Sequence, residues 1–426
     1  MSSLIIILLF VFLAIGVPVV FCVELSSCIF LMVSKAKPLL LLAQNMMYGM
    51  DHFAYLAITL FILAGYIMEE ANLSKRLVDF VNAWLGHIRG SVGVVTVVAC
   101  AIFAALTGSG PATVAAIGSI MMPALTDAGY SGEDSSGLLA ASGALGPIIP
   151  PSVPMIVYGA ALGVSIPKMF MGSVIPGLLL AAIFIAVNLR LTKKMVLKDV
   201  RKKLPMKVRL DYTVKAFPVL LLPVIVLGGI YGGVFTPTEA ATMAVVYSLI
   251  LAIAYREFSV KKFISCFSRA LVTSGGIIAL LGIATLFSWV LTYTQVPAKL
   301  SYAILSTVKS KWIYLVILCV ILFIMGTLME TIATIVLLAP ILVPVGVQMG
   351  INELHLACAF CIALIVGFIT PPFGINLFAA VSTCNQPYTK VVKGVVPYMI
   401  AALAVAIMVM FIPPLTTWLP NIVYGS

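Results

Sequence analysis

Hydroxyl-bearing residues and glycines cluster at four interruptions of an otherwise apolar chain, and the chemistry they offer is that of oxygen atoms. The first cluster contains Thr107, Gly108, Ser109, Gly110 and Pro111. Threonine and serine hydroxyls are oxygen ligands themselves, and glycine lets the backbone turn its carbonyl oxygens inward. The cluster is therefore a candidate site for a small hard cation and, through helix N-terminal N–H groups, for an anion.

A second interruption follows 41 residues later, counted from Ser109 to Pro150. It also contains Gly146, Pro147 and Ser152. Proline removes one backbone N–H and frees the carbonyl one turn earlier. We expect this interruption to face the first one and to add carbonyl oxygens to it.

The second half of the chain repeats both interruptions, again with hydroxyl, glycine and carboxamide residues. They are Gly326, Thr327, Glu330, Thr331 and Thr334, followed by Thr370, Gly374 and Asn376. The step from Thr331 to Pro371 is 40 residues, close to that of the first pair. These mostly neutral oxygen donors suit sodium better than a proton relay, which needs His, Asp or Glu along its pathway.

The composition requires a membrane around these clusters. Of the 426 residues, 62% are hydrophobic and 9% are charged, whereas soluble domains carry about 25% charged residues. A soluble fold of this size has no interior large enough for so much apolar surface. Cytosolic enzymes, secreted domains and disordered regulators are excluded.

A membrane-spanning helix needs about 20 mostly apolar residues, and the chain offers several such stretches. The clearest are 4–23, 53–68, 175–191, 214–231, 240–255, 271–291 and 395–411. The shorter 77–88 is expected to cross with a tilt or with local thinning of the bilayer, or to lie partly at the interface. The interrupted stretches are 92–125, 137–161, 313–345 and 356–381. In each half, the first interrupted stretch (92–125 or 313–345) predicts a hairpin that enters the membrane and returns on the same side. The second predicts a crossing helix that unwinds near mid-membrane.

The positions of the basic residues predict which side of the membrane each loop occupies. Ten of the 25 lie between Arg190 and Lys215, and basic loops of this kind stay in the cytoplasm. Counting from that loop places 19 basic residues inside, Arg269 among them, and six outside, including Lys75 and Arg76. The basic run lacks the interleaved aromatics of a nucleic-acid site, so we expect no nucleic-acid partner.

The charge count gives the two halves opposite orientations, which is the pattern of a secondary transporter. The predicted fold class is an all-α polytopic membrane protein with two inverted-topology repeats, each containing a re-entrant helical hairpin and a broken helix. Its predicted parts are a first repeat at 1–191, a cytoplasmic basic loop at 192–212 and a second repeat at 213–426. The first repeat has helices at 1–90 and a hairpin and broken helix at 91–191, and the second has helices at 213–292 and a hairpin and broken helix at 313–426.

Acidic residues in apolar segments carry a large desolvation penalty and are functional candidates. Glu330 lies in the third interruption and is expected near the ion or substrate. Glu239 follows Thr236 and Pro237 and is interpreted as a carboxylate at a helix N-terminus. The histidines lie near predicted span ends and are interpreted as interfacial residues; they are His52, His87 and His355.

Five segments resemble the large membrane subunit of tripartite ATP-independent periplasmic (TRAP) transporters. They are LFILAG at 60–65, GSGPATVAAIGSIMMPAL at 108–125, LGPIIPPSVPMIVYG at 145–159, GGVFTPTEAA at 232–241 and GFITPPFGINLF at 367–378. The resemblance implies a sodium-driven elevator importer of a bacterial inner membrane. In it, a transport domain of hairpins and broken helices slides against a scaffold of the remaining helices. It also implies a small four-helix membrane subunit, a periplasmic substrate-binding protein and a carboxylate-bearing organic acid as substrate, such as a sialic acid or a C4-dicarboxylate.

Carried over to this sequence, the resemblance implies two sodium sites next to a substrate site. The first sodium set is expected among Thr107, Gly108, Ser109, Gly146, Pro147 and Pro150, at the first hairpin tip and the Gly146–Ser152 break. The second is expected among Gly326, Thr327, Thr331, Thr334 and Thr370, at the second hairpin tip and the Thr370–Asn376 break. The substrate contacts are expected from Ser109, Gly110, Ser152, Glu330, Thr331, Gly374 and Asn376. Because the interruptions contain no arginine, we expect helix N-termini and hydroxyls, or water and sodium, to hold the carboxylate.

Two alternatives stay open at this stage. A stand-alone divalent-anion/sodium symporter of related fold shares the hairpins and broken helices. An intramembrane serine protease built on Ser109 is a more remote alternative, because its nucleophile needs a base nearby. The chain has no GxxxxGK[ST] motif for ATP, so the energy for transport is expected from an ion gradient or a partner, and no enzymatic activity is expected.

Overall fold

The computed structural model describes residues 2–34, 38, 40–197 and 203–425, which form α-helices, one short 3-10 helix at Gly367–Ile369 and connecting loops. The helices of the first half are α1 (Ser2–Ala14), α2 (Val19–Ser34), α3 (Leu40–Met50), α4 (Tyr55–Glu70), α5 (Leu73–Leu85), α6 (Ser91–Thr107), α7 (Gly110–Asp127), α8 (Gly132–Gly143), α9 (Val153–Leu162) and α10 (Ile166–Thr192). Those of the second half are α11 (Met206–Tyr231), α12 (Pro237–Ala254), α13 (Val260–Tyr293), α14 (Val296–Thr307), α15 (Lys311–Leu328), α16 (Thr331–Gln348), α17 (Glu353–Val366), α18 (Ile375–Cys384), α19 (Tyr388–Phe411) and α20 (Pro414–Tyr424).

The two halves repeat the same series of elements, as the sequence predicts. Helices α6 and α7 form hairpin 1, and α15 and α16 form hairpin 2. A broken helix follows each hairpin, α8–α9 in the first half and α17–α18 in the second, and each is interrupted by a diproline, Pro150-Pro151 or Pro371-Pro372. All four predicted interruptions are therefore confirmed as helix breaks.

The predicted first span, residues 4–23, is wrong as a single helix. Gly16 has a φ of +83°, a left-handed conformation that favours glycine and ends helices, and Pro18 follows it. Helix α1 therefore ends at Ala14, and α2 begins at Val19 and contacts α1. The predicted span 53–68 corresponds to α4, which continues α3 after a 52° bend.

The short segment at 77–88 has the features of the interfacial alternative. Helix α5 has 13 residues, which rise about 20 Å, less than the hydrocarbon core of about 30 Å. One face is buried, with Leu73, Leu77 and Val81, while the charged residues lie on the other face, as in interfacial helices. Three elements, α1, α2 and α3–α4, still precede α5, as α11, α12 and α13 precede α14.

The hairpins and broken helices of the two repeats are interleaved. Helix α7 contacts α18, α8 contacts α19, and α9 contacts α16. Gly137 on α8 lies so close to Gly394 on α19 that a Cβ on either would overlap the other helix's backbone. Close approach at small residues is the usual way in which membrane helices pack.

Helices α1–α5 and α11–α14 form a second group, in which α4 contacts α12 and α13, and α5 contacts α11. The two groups meet where α4 contacts α6 and α9, and where α13 contacts α16. The division into scaffold and transport domains at the predicted residue boundaries stays a prediction. Of the basic residues in the charge count, Lys35, Lys37, Lys198, Arg201 and Lys202 lie outside the described residues.

Two polar residues away from the interruptions have structural roles. Glu239 and Thr236 form a reciprocal capping box at the start of α12, so the interpretation of Glu239 as a helix N-terminal carboxylate is confirmed. His355 is not interfacial: it is buried, with Nδ1 2.8 Å from the Thr416 hydroxyl and Nε2 3.2 Å from the Met410 carbonyl oxygen. The histidine thereby joins α17 to the start of α20.

Candidate functional site: a cavity at the hairpin tips

A cavity of about 410 Å³ lies where the two helix groups meet. Helices α4 and α13 line one wall, and the other wall is formed by the tip of hairpin 1, the start of α9 and the first residues of α16. Three charged residues line it in the described part of the chain: Glu69, Arg269 and Glu330.

Hairpin 1 presents an open helix N-terminus to this cavity. Ser109 is the N-cap of α7, with an extended backbone and no side-chain capping hydrogen bond. Ser109, Gly110 and Ala112 all line the cavity. The first N–H groups of a helix lack intrahelical partners and carry partial positive charge, so this end of α7 suits an anion.

Hairpin 2 presents a helix N-terminus that is capped by a carboxylate and is called closed here. Glu330 is the N-cap of α16, and its carboxylate accepts a hydrogen bond of 3.0 Å from the backbone N–H of Ala333. Glu330 also lines the cavity. A carboxylate at a helix N-terminus neutralises the partial positive charge there, so α16 has little attraction left for an anionic ligand.

The first predicted sodium set is brought together by backbone contacts. Gly108 has a φ of +61°, and a Cβ there would lie 2.5 Å from the Pro151 carbonyl oxygen. A Cβ at Gly146 would overlap the backbone of Ser109. The tip of hairpin 1 therefore lies directly against the unwound segment between α8 and α9.

The hydroxyls of this set lie mostly within the protein. Thr107 Oγ1 is 3.3 Å from Thr113 Oγ1, and Thr113 donates a hydrogen bond of 2.7 Å to the Ser109 carbonyl oxygen. Ser152 is fully buried and donates to the Pro147 carbonyl oxygen. Because a donating hydroxyl keeps lone pairs, these oxygens can still coordinate a cation, but Ser152 does not line the cavity.

The second predicted sodium set is also assembled at a backbone contact. Gly326 of α15 lies against Gly367 at the end of α17, the counterpart of the contact between Ser109 and Gly146. Thr331 Oγ1 is buried and has no hydrogen-bond partner among the described residues. The other hydroxyls donate to carbonyl oxygens of their own helices, from Thr327 to Ile324, Thr334 to Glu330 and Thr370 to Val366.

Asn376 connects the two repeats. Its Nδ2 donates a hydrogen bond of 3.2 Å to the Ala140 carbonyl oxygen on α8, and its buried Oδ1 has no hydrogen-bond partner in the described structure. A Cβ at Gly110 would lie 2.6 Å from this Oδ1. Gly374 packs against the carbonyl of Phe368. Asn376 thus adds an amide oxygen next to the tip of hairpin 1.

The predicted residues divide into two groups by their position relative to the cavity. Those that line it are Thr107, Gly108, Ser109, Gly110, Pro147 and Glu330. Those that do not line it are Gly146, Pro150, Ser152, Gly326, Thr327, Thr331, Thr334, Thr370, Gly374 and Asn376.

The opposite wall contains polar residues that sequence reasoning missed. Arg269 was assigned to a cytoplasmic loop, but α13 begins at Val260, so Arg269 lies within the helix and lines the cavity. Its guanidinium carbon is 4.2 Å from the ring centroid of Tyr66, and Nη2 is 3.6 Å from the Glu69 carboxylate. Tyr66 also bonds to Thr273 through its hydroxyl at 3.3 Å. Arg269, Thr273 and Ile277 are four residues apart and so share one helix face, which is the signal available in the sequence.

Comparisons with known proteins agree on one family. The family described as "Tripartite ATP-independent periplasmic transporter, DctM component" matches residues 6–415. The C4-dicarboxylate TRAP transporter large permease protein DctM of Pseudomonas aeruginosa is 36% identical over 382 residues, covering 87% of each chain. The sialic acid TRAP transporter large permease protein SiaM of Vibrio cholerae is 31% identical, covering 96% of each chain.

Two further matches differ in extent. The isethionate TRAP transporter permease protein DctMQ of Oleidesulfovibrio alaskensis is 38% identical over 403 residues, and the match spans 94% of this chain but 64% of that protein. The solved structure of the YdaH transporter of Alcanivorax borkumensis aligns with a TM-score of 0.62 over 88% of each chain, at 15% identity, and so shares the fold. From the extent of the family match and the identity to its permeases, the chain belongs to the DctM family of TRAP transporter large permease proteins.

Proposed function

We propose that this protein is the large membrane subunit of a sodium-coupled, binding-protein-dependent importer of an organic acid in a bacterial inner membrane. The observation that carries the proposal is the cavity of about 410 Å³ between α4 and α13 and the hairpin tips. Its polar lining comes from two groups of helices that meet there. A site at such a boundary is exposed or closed when one group moves against the other.

The substrate proposed for this cavity bears a carboxylate, as sialic acids and C4-dicarboxylates do. The N-terminus of α7 supplies partial positive charge, and the hydroxyl of Ser109 adds a hydrogen-bond donor beside it. The named relatives handle C4-dicarboxylate, sialic acid or isethionate, all of which are organic anions. The substrate of this chain is accordingly proposed to be a small organic anion delivered by its binding protein.

Sodium is proposed to bind behind the cavity lining. Two buried oxygens there have no hydrogen-bond partner in the described structure, Thr331 Oγ1 and Asn376 Oδ1. A buried oxygen without a partner is energetically unfavourable, and a bound cation relieves that penalty. The unwound segments 144–152 and 370–374 add backbone carbonyl oxygens near the hairpin tips, the ligand type that broken helices supply to sodium.

The proposed transport mechanism is an elevator. The interleaved hairpins and broken helices move as one body, with anion and sodium bound, while α1–α5 and α11–α14 remain in place. A small four-helix membrane subunit is proposed to extend this fixed part, and a periplasmic binding protein is proposed to dock on the outer side.

Uptake by reconstituted proteoliposomes tests the proposal. The chain is purified with its small membrane subunit, and labelled succinate, N-acetylneuraminate and isethionate are offered with the binding protein under an inward sodium gradient. We expect uptake of one of these anions that needs both sodium and the binding protein. Uptake without the binding protein identifies a stand-alone symporter instead, and uptake independent of sodium contradicts the proposed coupling.

A further inference from the structure

Arg269 is the one basic residue among the described residues that line the cavity. It lies nine residues into α13, a membrane helix. Charged residues of membrane helices that face a cavity pair with other groups and mark candidate ligand pathways. Two partners hold it here, the ring of Tyr66 and the carboxylate of Glu69.

Neither partner uses the full donor capacity of the guanidinium. The distance of 3.6 Å from Nη2 to the Glu69 carboxylate exceeds that of a charge-assisted hydrogen bond, about 2.7–2.9 Å. The ring of Tyr66 contacts the face of the guanidinium and leaves its edge, with five N–H donors, available. The Arg269 side chain is 46% exposed, so this edge is accessible from the cavity.

We propose that Arg269 is an anion-binding residue of the scaffold wall, and that Glu69 is the counter-ion that a substrate carboxylate displaces. This inference rests on the proposed function and adds a specific cation to it. The substrate then contacts two positive features on opposite walls, the N-terminus of α7 at Ser109 and the guanidinium of Arg269. When no anion is present, Glu69 neutralises Arg269, which lowers affinity and favours release of the anion.

Arg269 and Glu69 each have a residue of the same type outside the cavity that can serve as a control. Arg76 stacks on the ring of Tyr255, with its guanidinium carbon 3.7 Å from the centroid. Glu70, next to Glu69 on α4, lies 4.0 Å from Lys262. Neither Arg76 nor Glu70 lines the cavity. The variants Arg76→Gln and Glu70→Gln therefore remove the same charges without touching the proposed site.

The first experiment measures the cavity potential without a substrate. Thr273→Cys, four residues from Arg269, places a thiol in the cavity, and its modification by anionic and cationic methanethiosulfonates gives a rate ratio. We expect Arg269→Gln to lower the anion-to-cation ratio about tenfold, Glu69→Gln to raise it, and Arg76→Gln and Glu70→Gln to leave it unchanged. An unchanged ratio in Arg269→Gln overturns the proposal, whether or not transport is observed.

The second experiment distinguishes a loss of anion affinity from a general loss of transport activity. In proteoliposomes that take up one of the three anions, we expect Arg269→Gln to raise the KM for the anion about tenfold or more, with sodium activation unchanged and partial rescue by Arg269→Lys. A lower maximal rate with an unchanged KM assigns Arg269 a structural role only. If no anion is taken up by the wild-type protein, the proposed function fails, and the labelling ratio still decides whether Arg269 attracts anions.

Discussion

Hairpin 1 turns at Gly108 and Ser109, and hairpin 2 turns at Met329 and Glu330. The inverted repeat relates the two turns, and each hairpin lies against the broken helix of its own half, through Ser109 and Gly146 in the first and Gly326 and Gly367 in the second. Their N-caps differ, however: Ser109 leaves the α7 terminus open, whereas the Glu330 carboxylate occupies that of α16. The same backbone geometry therefore provides an anion-attracting end in one repeat and a neutralised end in the other.

The difference suggests how a symmetric fold holds two unlike ligands. The open N-terminus suits a carboxylate, and the closed end lies above a buried, unpartnered hydroxyl, Thr331 Oγ1, that suits a cation. A single substitution of the N-cap at either turn can add or remove the carboxylate that distinguishes the two helix N-termini. Four variants test the comparison.

The largest effect is expected when hairpin 1 is given the chemistry of hairpin 2. Ser109→Asp places a carboxylate on the open N-terminus of α7, where it caps the helix and repels an anionic substrate. We expect uptake to fall by about a hundredfold or more, since like charges brought together are disfavoured by several kcal/mol, while the melting temperature is maintained because Asp is a good N-cap. The neutral control is Ser109→Asn. Equal uptake by the Asp and Asn variants contradicts an anion site at this turn.

The contact between Gly146 and the tip of hairpin 1 is expected to give the next largest effect, which is a loss of thermal stability. Gly146→Ala adds a Cβ that overlaps the backbone of Ser109, and overpacking of this kind destabilises by about 1–3 kcal/mol. Thermal unfolding of the purified protein measures the loss. Gly228→Ala is the control, because a Cβ at Gly228 meets nothing within 4 Å. Equal melting temperatures for the two variants mean that the tip does not pack as described.

Removal of the unpartnered hydroxyl tests the cation side of the comparison. Thr331→Ala loses no hydrogen bond in the described structure, so its melting temperature without sodium should match the wild type. We expect the sodium concentration for half-maximal uptake to rise about tenfold and the sodium-dependent stabilisation to shrink accordingly. Thr331→Ser keeps the oxygen and should restore both. Unchanged sodium activation in the alanine variant removes Thr331 from the proposed site.

The smallest effect is expected at the cap of hairpin 2. Glu330→Gln removes the carboxylate that neutralises the α16 terminus, which should destabilise the protein by about 0.5–1 kcal/mol, seen as a slightly lower melting temperature. Glu330→Asp retains the charge and is the control. A large loss of uptake in Glu330→Gln, beyond that of Glu330→Asp, would show that the carboxylate contacts a ligand as well as the helix.

Sequence reasoning found the features that depend on local residue types. The interruptions at Gly108, Pro150, Glu330 and Pro371 follow from the conformational preferences of glycine and proline in membrane helices. The capping box at Glu239 follows from its spacing to Thr236. Such features are set by a few neighbouring residues, so a single sequence is sufficient to predict them.

Features that depend on tertiary contacts were missed. Arg269 precedes an apolar stretch and therefore resembles a loop residue until α13 is extended back to Val260, where helices of the same group pack around it. His355 lies near a predicted span end, yet Thr416 and the Met410 carbonyl, more than 50 residues away, bury and bond it. For 77–88 the sequence leaves a crossing and an interfacial helix open, and the 13-residue length and single buried face of α5 in the fold favour the interfacial one.

The interleaving of the repeats constrains how the protein is made. Gly394 is translated 257 residues after Gly137, its contact partner, and Asn376 is likewise absent when its acceptor on α8 enters the bilayer. The first hairpin and its broken helix therefore enter the bilayer before α18 and α19 are available to cover α8. Chains that stop before α18 are expected to lack these contacts, so assembly, as well as transport, depends on the last helices of the chain.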